Sequence, residues 1–144
     1  MALLIPRSAT QKAPWGEYVG IGPLTIEAFD QLPLEEGWKF ELWKGDLIRM
    51  PGPGDDHMVI MANIYALLQP FLQQHKLGKL RGTGCYNLPL PNSADALLCP
   101  DLSYILPGRL ATMPKRGSYR IGVPDLVIEI ASPNDYRHLM QAKA

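Results

Sequence analysis

The sequence predicts an α/β (α+β) domain built around one mixed sheet flanked by helices, and three observations predict it. A helical stripe of apolar residues in the middle of the chain separates two groups of strand-like segments. Two of those segments, 101–106 and 125–131, are rich in Leu, Ile and Val and each opens on a Pro-Asp dipeptide. The chain is 144 residues long and 47% hydrophobic. A domain of that size buries roughly two-thirds of its unfolded surface, so it supports one core without staples.

Residues 1–24 contain Pro6, Pro14, Pro23 and three glycines with little periodicity, and read as an irregular leader before a domain spanning 25–144. Thr25 is placed to cap a short helix over Ile26–Leu32 that Pro33 stops. Trp38, Phe40 and Leu42 then alternate with Lys39, Glu41 and Trp43. Gly45-Asp46 supplies a turn and Leu47–Met50 returns, which makes a hairpin. After the Pro51–Gly54 loop, Asp55 or Asp56 is placed to cap the longest helix. Its stripe is Ile60, Ile64, Leu67, Leu68 and Phe71, with Pro70 expected to weaken its end and Gly78 to stop it. Cys85–Pro89 reads as an edge strand, because proline cannot donate to a ladder. Residues 107–123 form a basic connection between the two Pro-Asp strands. Ser132 and Pro133 open a last helix that still runs at Ala144.

Lys plus Arg and Asp plus Glu each total 14, so the net charge is zero and there is no overall basic footprint for nucleic acid. Any phosphate contact would rest on local clusters. One is Lys76, Lys79 and Arg81; the other is Arg109, Lys115, Arg116 and Arg120. Cys85 and Cys99 match no CxxC or Cys/His pattern and read as two reduced, buried thiols. The apolar run Ala2–Ile5 is too short for a signal segment or a membrane span, so the expected location is the cytoplasm.

Asp101 and Glu129 are the residues best placed for chemistry. Asp125 and Glu129 share a strand face but stand four positions apart, roughly 13 Å at strand rise, too far to share one ion. Neighbouring strands lie only about 4.8 Å apart, so Asp101 and Glu129 converge if their strands pair in suitable register. A Mg²⁺ or Mn²⁺ ion takes carboxylate oxygens, waters and substrate phosphate, which suits such a pair. A carboxylate after an apolar run is costly unless partnered, so Glu129 is either a metal ligand or else an edge-exposed acid or salt-bridge partner. Glu41 is either a further acid of the site or a solvated strand acid. His57 is either catalytic or a surface residue at the start of its helix.

The stretch Phe40–Met50 with His57 after it, Pro100-Asp101-Leu102, and Pro124–Pro133 in that order resemble the Uma family of restriction endonucleases. The resemblance covers most of residues 25–143. It implies a restriction-endonuclease-like (PD-(D/E)XK) fold with Asp101 as the motif Asp, Glu129 as the second acid, Glu41 as the upstream acid, and His57 at a position where the family also has histidine. The wider superfamily carries a lysine two residues after the second acid, where this chain has Ala131. The family's lysine stands further on, which corresponds to Lys143. Members of the family usually continue past this last helix, so the resemblance also implies a chain cut short at its C-terminus.

The function this implies is a Mg²⁺- or Mn²⁺-dependent endonuclease acting on nucleic acid, with DNA the expected substrate. Asp101 and Glu129 would hold the metal; Arg109, Lys115, Arg116 and Arg120 would hold the backbone. A homodimer is expected by analogy with nucleases that cut both strands. The alternative is a catalytically inactive nucleic-acid-binding or assembly protein on the same fold.

Overall fold

The computed structural model describes residues 11–13, 16–20, 23–91 and 95–132. Among these residues, eleven short strands and three helices make a mixed α+β architecture. The first elements are β1 (Gln11–Ala13), β2 (Gly16–Tyr18), α1 (Ile26–Asp30), β3 (Trp38–Trp43), β4 (Asp46–Pro51), α2 (Asp55–Gln74) and β5 (Leu80–Gly82). They are followed by β6 (Cys85–Asn87), β7 (Leu97–Leu98), β8 (Leu102–Tyr104), α3 (Pro107–Leu110), β9 (Lys115–Arg116), β10 (Tyr119–Ile121) and β11 (Leu126–Ile128). The described residues divide into two compact units, one drawn from 11–52 and 88–98, the other from 53–87 and 99–132.

In the first unit the strands run β1-β2-β4-β3-β7, all antiparallel. The expected hairpin is β3–β4, closed by Lys44 and Gly45 at φ 53° and 85°. Both central residues of a two-residue turn need positive φ to follow the strand twist, and glycine meets that demand without strain. Thr25 caps α1 as expected, its Oγ1 accepting from the Ala28 N–H at 3.2 Å. Phe40, Leu47 and Val19 form a buried core against which α1 packs Phe29.

Part of the segment expected to be irregular is strand: β1 and β2 form a hairpin, and β2 joins β4. The pairing rests on features that periodicity does not register. Glu17 pairs with the Arg49 guanidinium at 3.2 Å, and a Cβ on Gly16 would lie 2.7 Å from the Arg49 carbonyl oxygen.

In the second unit α2 begins after Gly54, whose extended backbone is the cap; Asp55 and Asp56 fall in the first turn. Carboxylates there favour the positive end of the helix dipole, so the acids serve the helix start without capping it. The inward face is also rotated from the expected stripe. His57, Met61, Ile64, Leu68 and Leu72 are half-buried, whereas Ile60 and Phe71 are exposed and Leu67 is 77% exposed. The reason is polar. Gln69 points inward and is buried because its Oε1 accepts the Leu80 N–H at 2.9 Å, which ties α2 to the start of β5. The helix runs four residues past Pro70, and Lys76 and Gly78, at φ 56° and 91°, reverse the chain.

Strands β5, β8 and β11 make an antiparallel sheet with β8 at its centre. The stretch expected to be a plain connection folds into α3 and the β9–β10 hairpin, and β10 pairs with β6 in parallel. The expected strand at Cys85–Pro89 is confined to β6, ahead of Pro89. Cys85 and Cys99 are not reduced thiols: they are joined as a disulfide. They stand fourteen positions apart in sequence, and the fold brings β6 and β8 together through the Tyr86–Ser103 hydrogen bond as well. No helix among the described residues is long and apolar enough to cross a membrane. The helix expected from Pro133, and Lys143 on it, lie outside the described residues.

Candidate active site

The site follows from one register. In the antiparallel ladder of β8 with β11, Leu102 faces Ile128, Ser103 faces Val127 and Tyr104 faces Leu126. Carried one residue further, that register sets Glu129 opposite Asp101 at one end of the ladder and leaves Asp125 at the other. The two Pro-Asp dipeptides therefore mark opposite ends of a single strand pair.

Asp101 is 8% exposed. Its Oδ2 accepts the Ile130 N–H at 2.8 Å and lies 3.0 Å from His57 Nε2. A carboxylate oxygen only accepts, so Nε2 carries the proton in this contact. Two donors on one oxygen fix the orientation of the carboxylate and offset the cost of burying it. The Asp101 carbonyl accepts the Thr83 N–H at 2.9 Å, which ties the strand entrance to the end of β5. His57 comes from the first turn of α2, with Nδ1 buried and lacking a hydrogen-bond partner among the described residues. Glu129 is half-buried directly after β11.

Asp125 is held by different partners. It accepts the Leu106 N–H at 2.9 Å and pairs with Arg109, whose guanidinium also donates to the Val123 carbonyl at 2.9 Å. The Leu106 hydrogen bond, and after it the Arg109 pair, hold the Asp125 carboxyl below the ordinary value of 3.8. Arg109 is thus drawn into a structural clamp between α3 and the start of β11. Of the other expected phosphate-binding residues, Lys115 and Arg116 are exposed on β9. Arg120 is half-buried on β10 and donates to the Met113 carbonyl at 3.0 Å.

Glu41 lies in the first unit, on β3, and is fully buried, with Lys39 Nζ 3.7 Å from its Oε1. The solvated-acid reading of Glu41 is excluded by that burial. Among the described residues no three His, Cys, Asp or Glu side chains stand close enough to hold an ion by themselves. A cation at this ladder end would lean on one or two carboxylates completed by waters and substrate phosphate, a usual arrangement for Mg²⁺.

Residues 26–144 match the family model Uma2, described as "putative restriction endonuclease". This chain belongs to the Uma2 family. Among solved structures it is similar to a protein from Anabaena variabilis, titled a "putative nuclease belonging to DUF820". The two share 21% identity and superpose with a TM-score of 0.63, over 84% of this chain. The match spans 65% of that protein's length, so it establishes the fold alone. No curated protein matches.

Three features of this Uma2 chain escaped the sequence reading. The Ile130 N–H that holds Asp101 is a backbone group and leaves no mark on residue type. The disulfide has no local motif. The buried bond from Tyr86 Oη to Ser103 Oγ, at 2.6 Å, joins β6 to β8. Its one trace in the sequence is a serine inside an apolar strand.

Proposed function

We propose that this chain is a metal-dependent nuclease that hydrolyses phosphodiester bonds, with Asp101 and Glu129 as its central carboxylates. The observation that carries the reading is Asp101 itself. It is a buried acid at a strand entrance, held on one oxygen by a backbone amide and His57, with Glu129 across the ladder. Such fixed orientation of one carboxylate suits a metal ligand, whose geometry is set by the hydrogen bonds behind it. A divalent cation, when bound, would polarise the scissile phosphate and lower the pKa of an attacking water. Asp101 and Glu129 would hold it, and His57 would keep Asp101 in place. Lys143 is proposed as the cation that meets developing charge, since Ala131 occupies the usual lysine position. Lys115, Arg116 and Arg120 supply phosphate contacts, DNA is the proposed substrate, and a homodimer would present two such sites.

The cytoplasmic location belongs to the same reading, and the Cys85–Cys99 bond bears on it. Such bonds persist mainly in oxidising compartments. Thiol trapping in intact cells decides the point: an alkylated pair supports the cytoplasm, and a protected pair refutes it.

The test is purified protein against plasmid DNA with Mg²⁺ or Mn²⁺ titrated in. Wild type is expected to cleave only with metal, and Asp101→Ala and Glu129→Gln to lose about 100-fold or more. Equal rates in wild type and Asp101→Ala under both metals would overturn the assignment. A second reading, a non-catalytic nucleic-acid-binding protein, is favoured by Ala131. It predicts salt-sensitive DNA binding with no metal-dependent cleavage.

A further inference from the structure

The two basic clusters of the sequence do not act as two clusters. A cavity of about 200 Å³ in the second unit is lined by Arg81 from β5, Lys115 from β9 and Arg120 from β10, and by Ser118 between the last two. That is far above the roughly 10–15 Å³ that one water needs on the same measure. None of the lining residues carries a carboxylate. Three cations on three strands line one cavity, Arg120 steadied by its hydrogen bond to the Met113 carbonyl, and their shared positive potential favours an anion there.

We infer that this pocket binds one phosphate of a nucleic-acid backbone, next to the phosphate that is cleaved. The inference rests on the nuclease reading above and adds to it a defined contact. Three observations support it. Gly82 and Gly84 line the pocket, and a Cβ on Gly82 would meet nothing within 4 Å, so a ligand can approach the backbone closely there. Gly82 is in register with Leu102, the residue after Asp101, across strands about 5 Å apart. Between the two glycines, Thr83 donates its N–H to the Asp101 carbonyl, and Cys85 in the pocket wall is bonded to Cys99, two residues before Asp101. The pocket rim and Asp101 therefore belong to one braced end of β8. Arg109 has no part in the pocket, because Asp125 and the Val123 carbonyl occupy it.

Fluorescence anisotropy of labelled duplex and single-stranded oligonucleotides, in EDTA and over a range of salt, tests this without requiring catalysis. Arg81→Gln, Lys115→Gln and Arg120→Gln are each expected to lower the slope of log K against log salt. Because the three share one phosphate, no variant is expected to change the slope by more than about 0.9 on duplex or about 0.7 on a single strand, and the arm that shows a change identifies which form supplies the phosphate. Arg109→Gln is expected to leave the slope unchanged. Pocket variants that fold as wild type and keep the wild-type slope on both forms would overturn the inference, even if wild type cleaves DNA. Conversely, a wild type that never cleaves but shows these slope changes sinks the nuclease reading and leaves the pocket standing. Should Arg81→Gln fail to fold, Lys115→Gln, on the exposed β9, decides alone.

Discussion

The two ends of the β8–β11 ladder each carry an aspartate that follows a proline, yet they are built for different purposes. At one end Asp125 is satisfied by a backbone amide and an arginine that is itself anchored on a carbonyl. Charge is balanced there, and the pair closes the turn from α3 into β11. At the other end Asp101 is more deeply buried, and its partners include an amide and a histidine. The same dipeptide thus yields a clamp in one place and a poised carboxylate in the other. What separates them is the kind of neighbour: Asp125 meets an arginine on an exposed edge, whereas Asp101 meets a backbone amide and a histidine in a buried one.

The largest expected effect concerns the covalent tie, which only the Asp101 end has among the described residues. Replacing Cys85 and Cys99 together by serine should cost about 2–4 kcal/mol of stability, since a loop near 15 residues gives roughly 3 kcal/mol. Urea denaturation of the variant against wild type measures it. A midpoint unchanged within error would mean that the hydrogen bonds at Ile130 and Thr83 suffice to place Asp101.

Next comes His57. Its replacement by alanine removes one donor from Asp101 Oδ2 and should weaken metal affinity by about 10–100-fold, with the fold retained. Isothermal titration with Mn²⁺ reads this directly. His57→Gln, which can still donate to the carboxylate, should recover part of the loss; no recovery would point to a role for the ring beyond positioning.

The smallest effect belongs to the clamp. Asp125→Asn should lower the thermal midpoint modestly and leave metal binding and cleavage within a few-fold of wild type. Combined with Arg109→Gln it should cost less than the sum of the single changes, because the two side chains share one interaction. The pH dependence follows from the sign of the shift. The Asp125 carboxyl is depressed in the fold, so its contribution is complete above the unfolded value of about 3.9 and fades as pH falls through the lower folded value. Acid denaturation followed by circular dichroism should therefore show a shallower loss below pH 4 in Asp125→Asn. An unaltered acid limb would assign that region to other carboxylates.

Much of this was legible in residue types. Thr25 at a helix start and the apolar run around Val127 each state their structure locally, and Gly45 marks the hairpin, although the turn falls on Lys44-Gly45 rather than the expected Gly45-Asp46. The spacing argument that separated Asp125 from Glu129 needed only strand rise. The face of α2 was not legible. Ile60, Leu67 and Phe71 look like core by pattern, but the inward face is set by where Gln69 finds the Leu80 amide, a partner eleven residues away. Nor was β2, whose pairing depends on Glu17 meeting Arg49 across 32 residues.

The sequence by itself singled out candidates: Asp101 and Glu129, each at the boundary of an apolar strand, and arginines and lysines in two separate runs. It also determined the family. Only the tertiary structure decided how they combine. Register paired Leu102 with Ile128, the neighbours of Asp101 and Glu129, a backbone amide and His57 fixed the Asp101 carboxylate, Asp125 claimed Arg109, and the meeting of β5, β9 and β10 joined Arg81 to Lys115 and Arg120. The physical reason is range. Propensity and periodicity are written in neighbouring residues, whereas charge pairing, disulfide bonding and pocket formation depend on distances that exist only once the strands have paired.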